Sequence, residues 1–250
     1  MRVTLIDFTG KGQPDPAHYA AALMAFTKST RLTMSPGLFE EIQRKSAEEL
    51  DKELDYMART IPSSWEMVDY TFMIEGVTRG YTHQQVRTRA ASYAQQTMRV
   101  LDVSEGPGWT YGTGPTIESS ERRRSVYNKT MRDIDDAYKW LVADGATIED
   151  ARGVLPTNIH TNIVMKINMR NFVDLVRKRS SPRVQGEYRA VLDGMKSAVA
   201  GVHPWISKFI DRTFESAALE LDALIADLKT RDPEQATQML KLVDILRSQS

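Results

Sequence analysis

Residues 84–99, QQVRTRAASYAQQTMR, carry the residue types that could bind an anion and a nucleobase. The segment holds three arginines and four glutamines around a small Ala-Ala-Ser core. Guanidinium groups bind phosphate through charge-assisted hydrogen bonds, and side-chain amides match the edge of a base. Helical spacing would place Gln84, Arg87 and Ala91 on one face. On residue types alone, a solvated helix face remains the commoner explanation of such a segment.

Composition excludes several classes of function. The chain of 250 residues has a formal net charge of zero, which argues against a protein that coats nucleic acid. It contains no cysteine, so disulfides, thiolate metal sites and cysteine nucleophiles are impossible. The four histidines are widely spaced and predict no metal site. No signal peptide and no apolar run of membrane-spanning length is seen, so we expect a cytoplasmic protein without a membrane partner.

The pattern of apolar residues predicts an α+β fold that is mostly helical with a small central sheet. β-branched and apolar runs predict strands, and apolar residues at intervals of three and four predict helices. No internal repeat or linker interrupts the chain, so we expect a single domain over residues 1–250. The predicted strands cover residues 2–10, 70–77 and the start of 161–171. The predicted helices cover residues 17–30, 38–60, 121–145 and 171–180, with a further pair from about 184 to the end.

The order of residues in the polar segment indicates more than their types do. RTRAAS, residues 87–92, resembles the RHRxxS signature of the flavin-dependent thymidylate synthases. Gln84 stands three residues before the first signature arginine, and Arg99 stands seven residues after the signature serine, as in that family. Further matches follow in family order: Ser63-Ser64-Trp65-Glu66 upstream, then Arg152-Gly-Val-Leu155-Pro156 for RxxLP, Asn168-Met-Arg170 for NxR, and Arg179 with Gln185-Gly-Glu187 for LR…AQxEI. Together they cover residues of about 60 to 190.

The resemblance implies a fold, a reaction and an assembly. Members of the family are similar in fold, as homotetramers of α+β subunits with active sites where subunits meet. They bind FAD and a uridine monophosphate, take a one-carbon unit from methylenetetrahydrofolate, and use NADPH to reduce the flavin. No enzyme cysteine attacks the uracil ring in this family, and the absence of cysteine from this chain agrees with that chemistry. The flavin carries the hydride chemistry, while the protein supplies orientation and charge.

The resemblance also implies roles for individual residues. Arg179 would be the catalytic residue, because a cation near the uracil carbonyls stabilises the negative charge that develops as C5 becomes nucleophilic. The residues implied to bind the substrate are Gln84, Arg87, Ser92, Gln95, Thr97, Arg99, Arg152 and Arg179, with Arg99 and Arg152 on the phosphate. The residues implied to bind FAD are Ser63, Glu66, Arg87, Arg89, Ala90, Asn168, Arg170 and Arg183.

Five positions depart from the family pattern. The signature histidine is replaced by Thr88, and the acid three residues after the signature serine is replaced by Gln95. The other departures are Ile61 for a histidine, Val100 for a tyrosine, and Arg183 where histidine is frequent. An amide can donate as well as accept, so Gln95 changes how a sugar hydroxyl or a base is recognised. These departures affect which sugar the bound nucleotide carries and whether the folate site is intact.

Three functions therefore stay open at this point. The first is C5 methylation of a uridine monophosphate, with dUMP slightly ahead of UMP, serving DNA precursors or a nucleoside-antibiotic pathway. The second is a relative that does not methylate, such as a pyrimidine nucleotide hydroxymethylase of a phage or a non-catalytic protein that binds flavin or nucleotide. The third is an RNA-binding helix built on ERRRS, residues 121–125. The acids that follow that run favour a solvated helix face instead, so no nucleic-acid partner is expected.

Overall fold

The computed structural model describes residues 1–30, 32, 34–99, 109–179, 184–210 and 214–248, with only the backbone considered for residues 214–220 and 245–248. The strands are β1 (Arg2–Phe8), β2 (Asp69–Thr78), β3 (Ser92–Gln95) and β4 (His160–Asn168). The helices are α1 (Pro16–Ser29), α2 (Leu38–Gln43), α3 (Ala47–Thr60), α4 (Arg79–Gln85), α5 (Pro115–Glu118), α6 (Glu121–Ala143), α7 (Ile148–Ala151), α8 (Met169–Arg179), α9 (Gly186–Val202), α10 (Ser207–Ile210), α11 (Phe214–Arg231) and α12 (Pro233–Ser248).

The predicted α+β class is confirmed by a four-stranded sheet among these helices. The strand order is β1-β2-β4-β3, and each neighbouring pair is antiparallel. The central strands β2 and β4 alternate buried and partly exposed residues, as expected for strands that pack one face on a core. Phe172 of α8 packs its ring against Tyr70 and Phe72 of β2, at centroid distances of 5.6 and 5.8 Å. This aromatic cluster anchors α8 to the sheet.

Two predictions about the helices are wrong, one about continuity and one about number. The single helix expected over residues 38–60 is divided into α2 and α3, because Ser46 forms a capping box with Glu49 that starts a new helix. The side-chain oxygen of Ser46 accepts from the Glu49 amide at 3.2 Å, and Glu49 Oε2 accepts from the Ser46 amide at 2.8 Å. The pair of helices expected after residue 184 is also wrong in number, since α9, α10, α11 and α12 all follow that point.

The described chain divides into two compact units, residues 1–205 and 206–250. The first unit contains the whole sheet and every described residue that the sequence assigned to a site. In the second unit, α11 and α12 are neighbours, and Ile225, Ala236 and Val243 are buried. The single domain expected over residues 1–250 stays a prediction.

His203 is a fully buried histidine at the end of α9, within the first unit. Its Nε2 lies 3.1 Å from the Thr9 carbonyl oxygen, and its Nδ1 lies 3.0 Å from the Tyr70 hydroxyl. Since the carbonyl only accepts, Nε2 carries the proton and Nδ1 accepts from Tyr70. Burial lowers the pKa of His203 from 6.5 to about 4, although the hydrogen bond to Thr9 acts in the opposite direction. The imidazole is therefore a neutral core group.

This burial predicts a pH-dependent loss of stability. The unfolded state binds a proton on His203 near pH 6.5, whereas the folded state binds it only near pH 4. The contribution of His203 is therefore present above pH 6.5 and falls by about 3 kcal/mol as the pH drops to 4. Chemical unfolding curves at pH 7.5 and pH 4.5 should show that His203→Gln lowers the free energy of unfolding less at the lower pH. His83→Gln, at an exposed position, is the control, and an equal effect of His203→Gln at both pH values would contradict the assignment.

Candidate active site

The polar segment at residues 84–99 is not one helix, and the prediction that Gln84, Arg87 and Ala91 share a helical face is wrong. Helix α4 ends at Gln85, and β3 begins at Ser92 and pairs with β4. The Tyr93 hydroxyl lies 2.9 Å from the Gln85 carbonyl oxygen and 3.0 Å from that of Thr88. It thereby satisfies carbonyl groups left free where the helix stops. The signature arginines consequently lie on a loop between a helix and a strand.

The start of α4 is held by Glu187 of α9. One carboxylate oxygen accepts from the Thr78 amide at 2.8 Å, and the other accepts from the Thr78 hydroxyl at 2.6 Å. The Thr78 oxygen in turn accepts from the Tyr81 amide at 3.0 Å, as a helix N-cap. Gln185, also near the start of α9, accepts from Gln84 Nε2 at 2.5 Å at the other end of α4. Both ends of the short helix are therefore fixed by one segment.

Four of the eight residues implied to bind FAD lie at the first turn of α8 or contact it. Asn168 accepts from the Asn171 amide at 2.9 Å, and Asn171 Nδ2 donates to the Ala90 carbonyl oxygen at 3.2 Å. Arg170 pairs with Glu66 at 2.5 Å. The signature loop, the NxR segment and the 3-10 helix Pro62–Met67 thus meet at the Asn168 end of β4. We call this group the α8 cluster; it comprises Glu66, Ala90, Asn168, Arg170 and Asn171.

The remaining residues implied to bind FAD stand around this cluster or outside the described chain. Ser63 is exposed on the same 3-10 helix as Glu66. Arg87 and Arg89 are exposed on the signature loop, and neither forms an ion pair with any residue that the structure describes. Two exposed guanidinium groups beside amide donors fit the pyrophosphate of a dinucleotide. Arg183 lies outside the described residues, as does Val100.

Arg152, one of the two arginines implied to bind the substrate phosphate, lines a separate cavity of about 450 Å³, and the other, Arg99, pairs with Glu149 in its wall. Glu149, which sequence reasoning missed, lies between the two predicted phosphate arginines. Its carboxylate is 3.3 Å from Arg99 Nε and 3.6 Å from Arg152 Nη2. Its position three residues before Arg152 in a short helical turn was the available signal. The cavity lining comprises Arg79, Gln95, Gln96, Thr97, Met98, Glu149, Arg152 and Gly153, and we call it the arginine cavity.

The arginine cavity carries an excess of positive charge. Arg79 joins Arg152 in its wall, and the Arg79 Nη2 group donates to the Gln96 carbonyl oxygen at 2.9 Å. Burial, together with the charge of Arg152, lowers the pKa of Arg79. Arg99 also pairs with Glu149, so this region holds three arginines and, among the described lining residues, one carboxylate. Such an arrangement favours a bound anion.

A chain of hydrogen bonds orients Gln95 in the same cavity. The fully buried Thr82 hydroxyl donates to the Arg79 carbonyl oxygen at 3.1 Å. With its proton used there, Thr82 Oγ1 accepts from Gln95 Nε2 at 3.0 Å. The Gln95 amide therefore presents Oε1, an uncharged acceptor, to the cavity. Gln95 keeps the acceptor character of the acid that it replaces in the family pattern but not its charge.

Thr97, Ser92 and Arg179 are three further residues that the resemblance implies to bind the substrate. The Thr97 hydroxyl oxygen accepts from the Arg99 amide at 3.0 Å, a local hydrogen bond in the segment that follows β3. Ser92 is exposed on β3, opposite Lys166 of β4. Arg179, the last residue of α8, places its guanidinium 5.2 Å from the centre of the Tyr188 ring. Arg179 and Gln84 thus adjoin the start of α9 and do not line the arginine cavity.

A larger cavity of about 810 Å³ lies at the Thr78 end of β2 and was not anticipated from the sequence. Tyr111, Tyr127, Asn158, His160 and Glu187 are among its lining residues. Burial lowers the pKa of His160, while the charge of Glu187 acts in the opposite direction. A side chain at Gly112 would come within 2.5 Å of the Thr78 methyl group, so glycine is required where the loop crosses the cap of α4.

Two negative observations apply to the described part of the chain. It contains no group of three or more histidine, aspartate or glutamate side chains placed to hold a metal ion. None of its helices combines the length and the apolar character needed to cross a membrane.

Comparison with known proteins agrees with the motif order. Residues 4–205 match the family model described as "Thymidylate synthase complementing protein". The chain is similar to the flavin-dependent thymidylate synthase of Geobacter sulfurreducens, with 36% identity over 208 residues that cover 82% of this chain and 85% of the relative. The corresponding enzyme of Clostridium tetani is 30% identical over 227 residues, covering 84% and 86%. That of Pyrococcus furiosus is 33% identical over 194 residues, covering 76% and 75%. Through the match to residues 4–205 and these relatives, the chain belongs to the flavin-dependent thymidylate synthase family.

Proposed function

We propose that the protein transfers a one-carbon unit to C5 of a uridine monophosphate, with dUMP favoured over UMP. Methylenetetrahydrofolate would be the carbon donor, NADPH the reductant and FAD the cofactor. The observation that carries the proposal is the arginine cavity, which Arg79, Arg152 and Gln95 line together with Glu149, the carboxylate that pairs with both Arg99 and Arg152. The names of the relatives, which are thymidylate synthases, support the nucleotide class.

The phosphate of the nucleotide is assigned to Arg99 and Arg152. Glu149 holds both guanidinium groups by ion pairs of 3.3 and 3.6 Å, which reduces the side-chain entropy lost when a phosphate binds. Gln95 Oε1 is available to accept a hydroxyl hydrogen bond from the sugar, because its Nε2 is used by Thr82. An acceptor without charge avoids repulsion from the nearby phosphate.

FAD is assigned to the α8 cluster together with Ser63, Arg87 and Arg89, and the assignment of Arg183 is kept as a prediction. The exposed guanidinium groups on the signature loop offer charge to the pyrophosphate, and Asn168 and Arg170 stand on the rigid first turn of α8. Bound flavin supplies the hydride chemistry of the reaction. The protein contributes binding, orientation and exclusion of water.

Arg179 is the proposed catalytic residue. The chain has no cysteine, so the uracil ring is not activated by a thiolate. A guanidinium near the uracil carbonyls would stabilise the negative charge that develops as C5 attacks, without a covalent bond to the protein. Gln84, whose Nε2 donates to Gln185 at the end of α4, would hold the base through its amide.

A homotetramer is part of the proposal, with active sites where subunits meet. Support comes from the antiparallel register of β3 and β4. Ser92 pairs with Lys166 near the Asn168 end of β4, and Gln95 pairs with Ile163 toward its His160 end. The α8 cluster and the arginine cavity therefore lie toward opposite ends of one strand, and a second subunit would bring one group of each kind together. The cytoplasm is proposed as the location, with no nucleic-acid or membrane partner.

The direct test is an assay of the FAD-loaded protein with methylenetetrahydrofolate and NADPH, adding dUMP or UMP in turn. We expect a 5-methylated nucleotide, formed faster from dUMP, detected by chromatography and mass spectrometry. A hydroxymethylated product would instead identify a hydroxymethylase. Flavin binding without product from either nucleotide would overturn the proposal in favour of a non-catalytic flavin or nucleotide-binding protein.

Removing a phosphate arginine should weaken nucleotide binding selectively. Arg152→Ala is expected to raise the KM for dUMP by roughly 10- to 100-fold, since a charge-assisted hydrogen bond contributes about 1.5–3 kcal/mol. Flavin occupancy, measured by absorbance of the purified protein, should not change. Arg132→Ala, at an exposed position of α6, is the matched control. An unchanged KM for Arg152→Ala would remove Arg152 from the phosphate site.

The orientation of Gln95 predicts a role for Thr82, which is buried and does not line the arginine cavity. Thr82→Val should raise the KM for dUMP by roughly 5- to 30-fold, because Gln95 loses the hydrogen bond that directs its amide, at about 1–2 kcal/mol. Thr82→Ser should keep most of the affinity. Thr161→Val, another buried threonine, is the control. Equal KM values for the valine and serine variants at position 82 would refute the orienting chain.

A further inference from the structure

Tyr188 lies where three elements of the active-site region meet. Its side chain, in the first turn of α9, is 1% exposed. Its ring centre lies 5.2 Å from that of Tyr81 on α4. The Arg179 guanidinium at the end of α8 stands over the same ring, 5.2 Å from its centre. This distance is within the range of a cation–π interaction.

The Tyr188 hydroxyl is buried in this contact. Among the described residues it has no hydrogen-bond partner of good geometry. Burial raises the pKa of the phenol, whereas Thr88 and Arg179, both near the hydroxyl, act in the opposite direction. A buried hydroxyl without a partner is costly and calls for an explanation. The polar groups that act on it are Thr88, a signature residue, and Arg179, the proposed catalytic arginine.

One departure from the family pattern lies at this point. Thr88 occupies the histidine position of RHRxxS, and Tyr188 directly follows Glu187 of the AQxEI match.

We propose that Tyr188 is a positioning residue that holds the Arg179 guanidinium against the nucleotide site through its ring. The inference rests on the proposed function, in which Arg179 stabilises charge on the uracil. Arginine has a long side chain with many rotamers, and an aromatic face restricts it to a planar stacked arrangement. Tyr81 fixes the Tyr188 ring from the other side, and Glu187, the preceding residue, fixes α9 to α4. Arg179 is thereby oriented relative to Gln84.

A double-mutant cycle tests whether Tyr188 acts through Arg179. Tyr188→Ile should lower kcat/KM for dUMP by about tenfold in the wild-type background, the loss of one cation–π interaction. In the Arg179→Ala background the same substitution should cause no further loss. Tyr188→Phe keeps the ring and should retain most of the activity. Tyr138→Phe, fully buried on α6, is the control and should leave kcat/KM unchanged. Additive losses in the cycle, with melting temperatures similar to wild type, would overturn the proposal.

A spectroscopic readout keeps this proposal separate from the proposed function. In protein labelled with ¹³C at the tyrosine Cζ atom, Tyr188→Phe identifies the Tyr188 resonance. Arg179→Ala should shift that resonance, while Arg132→Ala should not. If the wild-type protein makes no product but Arg179→Ala shifts the Tyr188 resonance, the proposed function is contradicted and the Tyr188–Arg179 contact is established. A resonance that does not respond to Arg179→Ala would overturn the contact itself, whatever the activity.

Discussion

The antiparallel pairing of β2 with β4 is the constraint on which the rest of the active-site region depends. Each of these strands passes into a helix without an intervening loop, β2 into α4 and β4 into α8. The register that pairs Asp69 with Asn168 and Thr78 with His160 therefore also sets where the two helices start. Thr78 and Asn168 cap the helix starts by hydrogen bonds of 3.0 and 2.9 Å. Because strand, cap and helix are continuous, the sheet fixes the site residues at the starts of α4 and α8, whereas the signature arginines lie on the loop between α4 and β3.

For binding an anion, the local charge of the arginine cavity matters more than the net charge of the chain. The chain is neutral as a whole, yet Arg79 and Arg152 line one cavity with Glu149, and Arg99 pairs with the same carboxylate. Burial of Arg79 beside Arg152 disfavours its charged form. A phosphate would reverse that penalty by adding charge-assisted hydrogen bonds. The same reasoning explains why an uncharged acceptor at Gln95 suits a cavity that already contains one carboxylate.

Much of the fold followed from local patterns. The runs that predicted β1, β2 and β4 lie in the sheet, and the long amphipathic pattern of residues 121–145 predicted α6 closely. Prediction failed where a single side chain overrode periodicity. The Ser46 capping box divided a continuous helical pattern, and the pairing of β3 with β4 turned the second half of the 84–99 segment into a strand. The capping box is local and has the S-x-x-E spacing, whereas short-range spacing does not reveal the long-range pairing of β3 with β4.

The sequence by itself determined the α+β class, the family, and the order of the residues assigned to nucleotide and flavin, because the motif spacing survives in the linear chain. Only the tertiary structure brought Glu149 between Arg99 and Arg152, directed the amide of Gln95 through Thr82, and set Tyr188 against Arg179. These are contacts between residues that are distant in sequence or of ordinary type. The roles proposed for these residues depend on distances and burial in the folded protein, which the linear sequence does not contain.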